Sequence, residues 1–170
     1  MEPDPRFAEF VAERGDALMR YGYALAGNRH DAADLVQEAL IRLRGAWSRV
    51  RLKDNPEWYV RTSMARLHIA TWRRRSREAL TWELPEREHH DTLPTGDEQE
   101  LWQALAGLPR RQRAVLVLRY YEQLTDAEIA DVLGISRGTV RSQASRALDK
   151  LRSAVPHPTL YAQSAHKEKP

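Results

Sequence analysis

Residues 124–151 read LTDAEIADVLGISRGTVRSQASRALDKL, and this stretch decides the fold. Thr125 and Glu128 have the T-x-x-E spacing of a capping box, which starts a helix by pairing two of its otherwise orphaned N–H groups. Ile129, Ala130 and Leu133 supply a buried side, and the small Ala130 lets a second helix approach closely. Gly134 suits the left-handed residue that ends the first helix. Ile135 fills the corner, and Ser136 caps the second helix. There Val140, Ala144, Ala147 and Leu151 recur at helical spacing and face inward. The opposite side carries Arg137, Arg141, Ser142, Ser145 and Arg146, with Thr139 in the first turns. The pattern predicts a helix-turn-helix whose second helix has the composition a major groove requires, Arg and Ser at base edges and further Arg on phosphates. Arg141 is the expected base contact and Arg137 a phosphate contact. A solvated helical hairpin shares the periodicity, but it does not call for this turn chemistry together with an arginine-serine face.

Working outward, helical periodicity continues on both sides. Upstream, Glu100–Ala106 and Arg111–Tyr121 read as helices, broken by Gly107 and Pro109. Towards the N-terminus three apolar stripes appear: Phe7 to Tyr21, Leu35 to Val50, and, less cleanly, Trp58 to Trp72. No alternating strand pattern of any length is present. Leu84–Gln99 holds Pro85, Pro94, Gly96 and many acids without apolar periodicity, and reads as a linker. The polar segment after Val155, with three prolines, reads as a disordered tail. The expected class is therefore all-α, two small helical domains joined by an acidic linker: 1–77, a linker over 78–96, 97–155, and a tail over 156–170. Each domain can bury only a modest core, so stability is expected to depend partly on a partner.

Charge alternates along the chain. Residues 1–41 carry 4 basic and 8 acidic groups, residues 42–77 carry 11 and 2, residues 78–100 carry 1 and 8, and residues 101–170 carry 11 and 6. Two basic blocks flanking an acidic linker favour a phosphate-bearing partner. With no cysteine, disulfide frameworks and thiolate metal sites are excluded. The N-terminus, MEPDPRFAEF, lacks the basic-then-apolar run of a secretory signal. No stretch approaches the roughly 18 apolar residues of a membrane span. A cytoplasmic protein without membrane contact is expected.

At this point the chain resembles a known family. LPRRQRAVLVLRYYEQLTDAEIADVLGISRGTVRSQASRALDKLR, from Leu108, is similar to region 4 of bacterial RNA polymerase sigma factors. DAADLVQEALIRLRGAW at 31–47 resembles region 2.2, and PEWYVRTSMARLHIATWRRRSR at 56–77 resembles regions 2.3 and 2.4. Order, spacing and short linker resemble the extracytoplasmic-function (ECF) group of the sigma-70 family. The W-R-R-R ending of region 2 is similar to its actinobacterial SigE-like branch. The C-terminal tract alone also resembles LuxR-type regulators. The L-P-x-x-x-R start at Leu108, the L-R-Y-Y-E tract and the upstream D-L-V-Q-E favour sigma factors.

The resemblance implies a sigma subunit, not an enzyme and without a cofactor, that binds core RNA polymerase and directs promoter recognition, melting and initiation. Its implied partners are the β′ clamp helices and β flap of core polymerase, promoter DNA and, as in many relatives, an anti-sigma protein. Asp34, Gln37, Glu38, Ile41 and Arg42 would form the polymerase-binding face. For the minus-10 element, Arg61, Arg66, Arg73, Arg74, Arg75 and Arg77 would supply charge, and Trp58, Tyr59, His68 and Trp72 would supply rings for unstacked bases, with Trp72 either stacking on a base or packing inside. Trp58 is expected to be core. The loop Arg51–Asn55 would capture a flipped base, with Asp54 and Asn55 on its edge. Arg66 stands where the family commonly has asparagine, which implies more phosphate binding and less base selectivity. For the minus-35 element the contacts would be Arg137, Thr139, Arg141, Ser142, Ser145 and Arg146. Two other readings fit parts of the sequence. A free-standing regulator would bind duplex DNA as a dimer without polymerase. A metal enzyme would have to use His89, His90 and Asp91, adjacent residues in a flexible segment with no supporting shell.

Overall fold

The computed structural model describes residues 4–53, 55–79 and 97–155; the side chains of residues 53, 72, 73, 75–79 and 97–99 are not described. The described residues form helices and no strand. Most of the 78–96 linker and all of the 156–170 tail lie outside them.

Helix α1 spans Pro5–Ala26. Asp4 caps it, accepting from the Arg6 N–H at 3.0 Å, and Pro5 takes the first position, where a missing N–H costs nothing. Gly27 ends it at φ 79°, returning its N–H to the Tyr23 carbonyl. Helix α2 spans Arg29–Lys53. Asn28 and Asp31 cap its start reciprocally, the Asp31 N–H donating to Asn28 Oδ1 at 2.8 Å and the Asn28 amide to Asp31 Oδ2 at 3.0 Å. Helix α3 spans Pro56–Ala79, with Asn55 Oδ1 accepting from the Glu57 N–H. The three pack on Leu18, Tyr21, Leu25, Leu43, Val50, Val60 and Met64, all fully buried. Trp47 closes the N-terminal end against Phe7 and Phe10 and donates its indole N–H to Asp4 at 3.0 Å.

The second half comprises α4 (Asp97–Ala106), α5 (Arg110–Leu116), α6 (Asp126–Leu133) and α7 (Arg137–Ala154). The single helix expected over 111–121 is divided. After Leu116 the chain widens into a π-helical turn, Val117–Tyr121, closed by the Glu122 N–H on the Val117 carbonyl. Val117 and Leu118 stay in the core while Tyr120 and Tyr121 reach the surface. The wide turn is the last of its segment, so no further helical turn follows in which an altered apolar period could show.

The halves are not separate in this structure. One core cluster runs from Leu18, Val60 and Ile69 through Ala114, Val115 and Leu118 to Ile129 and Val140. The covering that a modest core needs is thus supplied, for each half, by the other. Arg113 crosses the junction and is buried. It donates from Nε to the Leu25 carbonyl (2.6 Å), from Nη2 to Ala26 (2.9 Å) and from Nη1 to Ala106 (2.9 Å) and Leu108 (3.3 Å). These are chiefly the last carbonyls of α1 and α4, the negative ends of two helix dipoles.

Candidate nucleic-acid interface

The helix-turn-helix forms as its residues require. The Thr125 hydroxyl accepts from the Glu128 N–H, and the Glu128 carboxylate accepts from the Thr125 N–H at 2.8 Å. The Thr125 N–H, with the Thr125 hydroxyl that also donates to it at 2.8 Å, holds the Glu128 carboxyl below the usual carboxylate range. Gly134 takes the left-handed conformation at φ 64° and Ser136 caps α7, accepting from the Thr139 N–H at 3.0 Å. Val140, Ala144, Ala147 and Leu151 are buried, which leaves Arg137, Arg141, Ser142, Ser145 and Arg146 exposed on one side of α7. Thr139 is half-buried, its hydroxyl 2.9 Å from that of Ser136, so it belongs to the cap. Ser142 donates to the Thr139 carbonyl, keeping its acceptor capacity. Arg141 is anchored, its Nε 3.2 Å from Asp126 Oδ2.

Helix α3 departs from expectation at three positions. His68 is buried, not displayed, beneath α5. Burial, then Arg113 and Arg110, drive its imidazole down to about 3, against a hydrogen bond to the Arg110 backbone, and its Nε2 has no hydrogen-bond partner. A neutral ring enclosed there cannot stack on a base. Arg61 is likewise drawn inward. It pairs with Glu57 and, at 3.0 Å, with Glu122 from the second half, and lies over the rings of Tyr21 and Tyr121. Trp58 is the reverse case: expected in the core, it is 40% exposed at the start of α3. Val60 and Met64 take the buried side, and Trp58 falls off it.

Other members of the set remain outward. Arg66 and Arg74 are exposed. The side chains of Trp72, Arg73 and Arg75 and the whole of Asp54 lie outside the described residues. The expected loop Arg51–Asn55 is shorter than read, because α2 runs through Lys53 and Asn55 already caps α3. Its carbonyl oxygen is engaged in that cap.

On α2, Asp34, Gln37, Glu38, Ile41 and Arg42 are exposed. The first four line a groove of about 360 Å³, bordered by Leu67, Thr71 and Arg74 of α3 and by Arg110 of α5. Ile41 is 58% exposed there, an apolar contact among polar ones. Arg42 pairs with Glu38 at 3.1 Å. Arg110 reaches Asp31 across the junction at 3.6 Å. The residues that reading the sequence missed are those at the junction, Arg113 above all. Its signal was present as the last residue of L-P-x-x-x-R, a motif noted for resemblance rather than for the carbonyls it would face.

Among the described residues no helix is long and apolar enough to cross a membrane, and no cluster of three metal-ligating side chains forms. His89, His90 and Asp91 lie outside them.

Comparison with known proteins agrees with this arrangement. Residues 10–78 match the family described as Sigma-70 region 2, and residues 104–153 match Sigma-70, region 4. An RNA polymerase sigma-E factor of Streptomyces coelicolor is 38% identical over 164 residues, covering 95% of this chain and 93% of that protein. The ECF RNA polymerase sigma factor SigE of Mycolicibacterium smegmatis is 35% identical over 95% of this chain and 66% of its own length. In fold the chain is similar to the sigma factor RpoE of Bartonella quintana, solved in complex with the anti-sigma factor NepR, at a TM-score of 0.68 and 22% identity over 91% of this chain and 99% of that one. The chain belongs to the sigma-70 family, in its extracytoplasmic-function group: an RNA polymerase sigma factor, of the kind that binds core polymerase and directs initiation at promoters.

Proposed function

We propose a residue-level division of this work. Residues 1–77 act as the polymerase-binding and minus-10 unit, and residues 97–155 as the minus-35 reader. The observation that carries the proposal is the face of α7. Arg137, Arg141, Ser142, Ser145 and Arg146 stand exposed on a helix whose opposite side is buried in a doubly capped helix-turn-helix. Such a helix enters a major groove by its N-terminal turns, with Arg141 on a base edge and Arg137 and Arg146 on phosphates. Asp34, Gln37, Glu38 and Ile41 form the docking face for polymerase, a polar patch centred on one exposed aliphatic side chain. Arg66, Arg73, Arg74 and Arg75 hold the minus-10 strand. Exposed Trp58 takes a ring role towards unstacked bases, and buried His68 is left out.

The protein acts in the cytoplasm, as a specificity subunit rather than an enzyme. An anti-sigma protein would have the α2 and α7 faces to cover. The experiment is reconstitution with core polymerase on a randomised promoter library. Ile41→Asp should abolish core binding. Arg141→Ala should leave core binding intact and erase preference at one upstream base pair. Core binding unaffected by Ile41→Asp, or an unchanged upstream preference in Arg141→Ala, would overturn the corresponding assignment.

A further inference from the structure

The carboxylate of Asp126 sits where three elements converge. It is the first residue of α6, immediately after the Thr125 cap. One oxygen accepts from Arg119 Nη2, on the π-helical turn, and the other from Arg141 Nε, on α7, at 3.2 Å. Burial works against ionisation of this group, but the bonds from Arg119 and Arg141 prevail and hold it below the usual carboxylate range. Arg119 is three-quarters buried and Arg141 is 73% exposed, so the inner partner fixes the carboxylate and the carboxylate fixes the outer partner.

An acidic side chain beside a DNA-reading helix repels phosphates, and as a surface ion pair it adds little stability. Its effect on Arg141 is larger. A free arginine side chain loses rotamer freedom when it is immobilised on a ligand. Held by Nε, Arg141 has lost much of that freedom before DNA arrives. The same bond selects which edge of the guanidinium remains. With Nε engaged, Nη1 and Nη2 bond to no described residue, and this pair of donors is what a base must meet. Guanine offers two acceptors, N7 and O6, to such a pair. Adenine offers one acceptor and a donor.

We propose that Asp126, relayed from Arg119, is a positioning residue that presents the terminal donors of Arg141 to a guanine in the upstream element. The proposal rests on the reading of α7 as the minus-35 reader, and the test separates the two. Full-length protein is combined with core polymerase, and bound or transcribed templates are sequenced from a library randomised upstream. Four proteins are compared: wild type, Asp126→Asn, Arg141→Ala and the double variant. Asp126→Asn keeps the size of the side chain and leaves Thr125 and Glu128 to cap the helix. Wild type should enrich guanine at one position, and Arg141→Ala should flatten that position. Asp126→Asn should lower the guanine-to-adenine ratio there by about threefold to tenfold and leave other positions unchanged. In the Arg141→Ala background it should change no ratio.

The positioning role is overturned if Asp126→Asn keeps the wild-type ratio while Arg141→Ala loses it. The same holds if Asp126→Asn shifts every position together along with the melting temperature, which marks a structural role. A uniform rise in affinity with unchanged ratios, the signature of simple phosphate repulsion, also overturns it. If Arg141→Ala leaves every position unaltered, the base-reading assignment of Arg141 fails, and the positioning role falls with it.

Discussion

Arg113 is held by the ends of helices. Its guanidinium donates to carbonyls that close α1 and α4, groups left unpaired by the helices themselves. Replacing it with methionine keeps the apolar stem but leaves several buried carbonyls unsatisfied. We expect Arg113→Met to cost about 3 kcal/mol, read as a fall in the denaturation midpoint. Loss of less than about 0.5 kcal/mol, the scatter of an ordinary surface substitution, would contradict this role. Gly27 is tied to the same site. It lies at φ 79°, and an added Cβ would stand 3.0 Å from Arg113 Nη1. His68, beneath Arg110 and Arg113, makes a prediction in pH. Its folded-state value of about 3 lies below the roughly 6.5 of an unfolded histidine. Its contribution to stability is therefore complete above about pH 6.5 and is lost as pH falls towards 3. Glu122 acts in the opposite sense, since burial raises it against the pull of Arg61. A His68→Leu variant should accordingly show a flatter fall in melting temperature between pH 7 and 5 than wild type. Parallel curves would show that His68 does not titrate with unfolding.

At the scale of elements, legibility followed the range of the interaction. The turn Gly134–Ser136 was readable because each residue answers a local backbone demand. Gly134 supplies a positive φ, Thr125 and Ser136 supply caps, and the buried series Val140 to Leu151 repeats within one helix. The caps of α2 by Asn28 and of α3 by Asn55 have equally local signals, and the Asn55 cap, with α2 running through Lys53, leaves a shorter loop than Arg51–Asn55. The π-helical turn has no comparable signal, nor has the fate of Arg61. That residue looks like any exposed cation until Glu122, 61 residues away, is brought beside it. Thr125→Ala should cost about 1 kcal/mol by loss of the capping box, and Gly134→Ala a similar amount for the left-handed conformation, since nothing obstructs the added methyl. Denaturant titration measures both. A stabilising effect of Gly134→Ala would contradict the conformation assigned to the turn.

For the whole molecule, the shared core determines behaviour. Trp102 of α4 packs edge-on against Tyr23 of α1, and Tyr121 lies against Tyr21, so aromatic probes in the two halves report on the same junction. One cooperative transition is expected, with tryptophan fluorescence and helical circular dichroism coinciding. Two resolved transitions would show that the halves are independent in solution. The same arrangement leaves the α7 face and the rim of the α2 groove at the surface, which is what a two-contact specificity subunit needs. The most direct test of the central assignment is run-off transcription from a promoter selected with the wild-type holoenzyme. Core polymerase with the wild-type chain should initiate at one site. Arg141→Ala should lower that initiation at least about tenfold while still binding core, a loss within the range of one bidentate base contact. Full initiation by Arg141→Ala at the same site would contradict the reading of α7 on which the account depends.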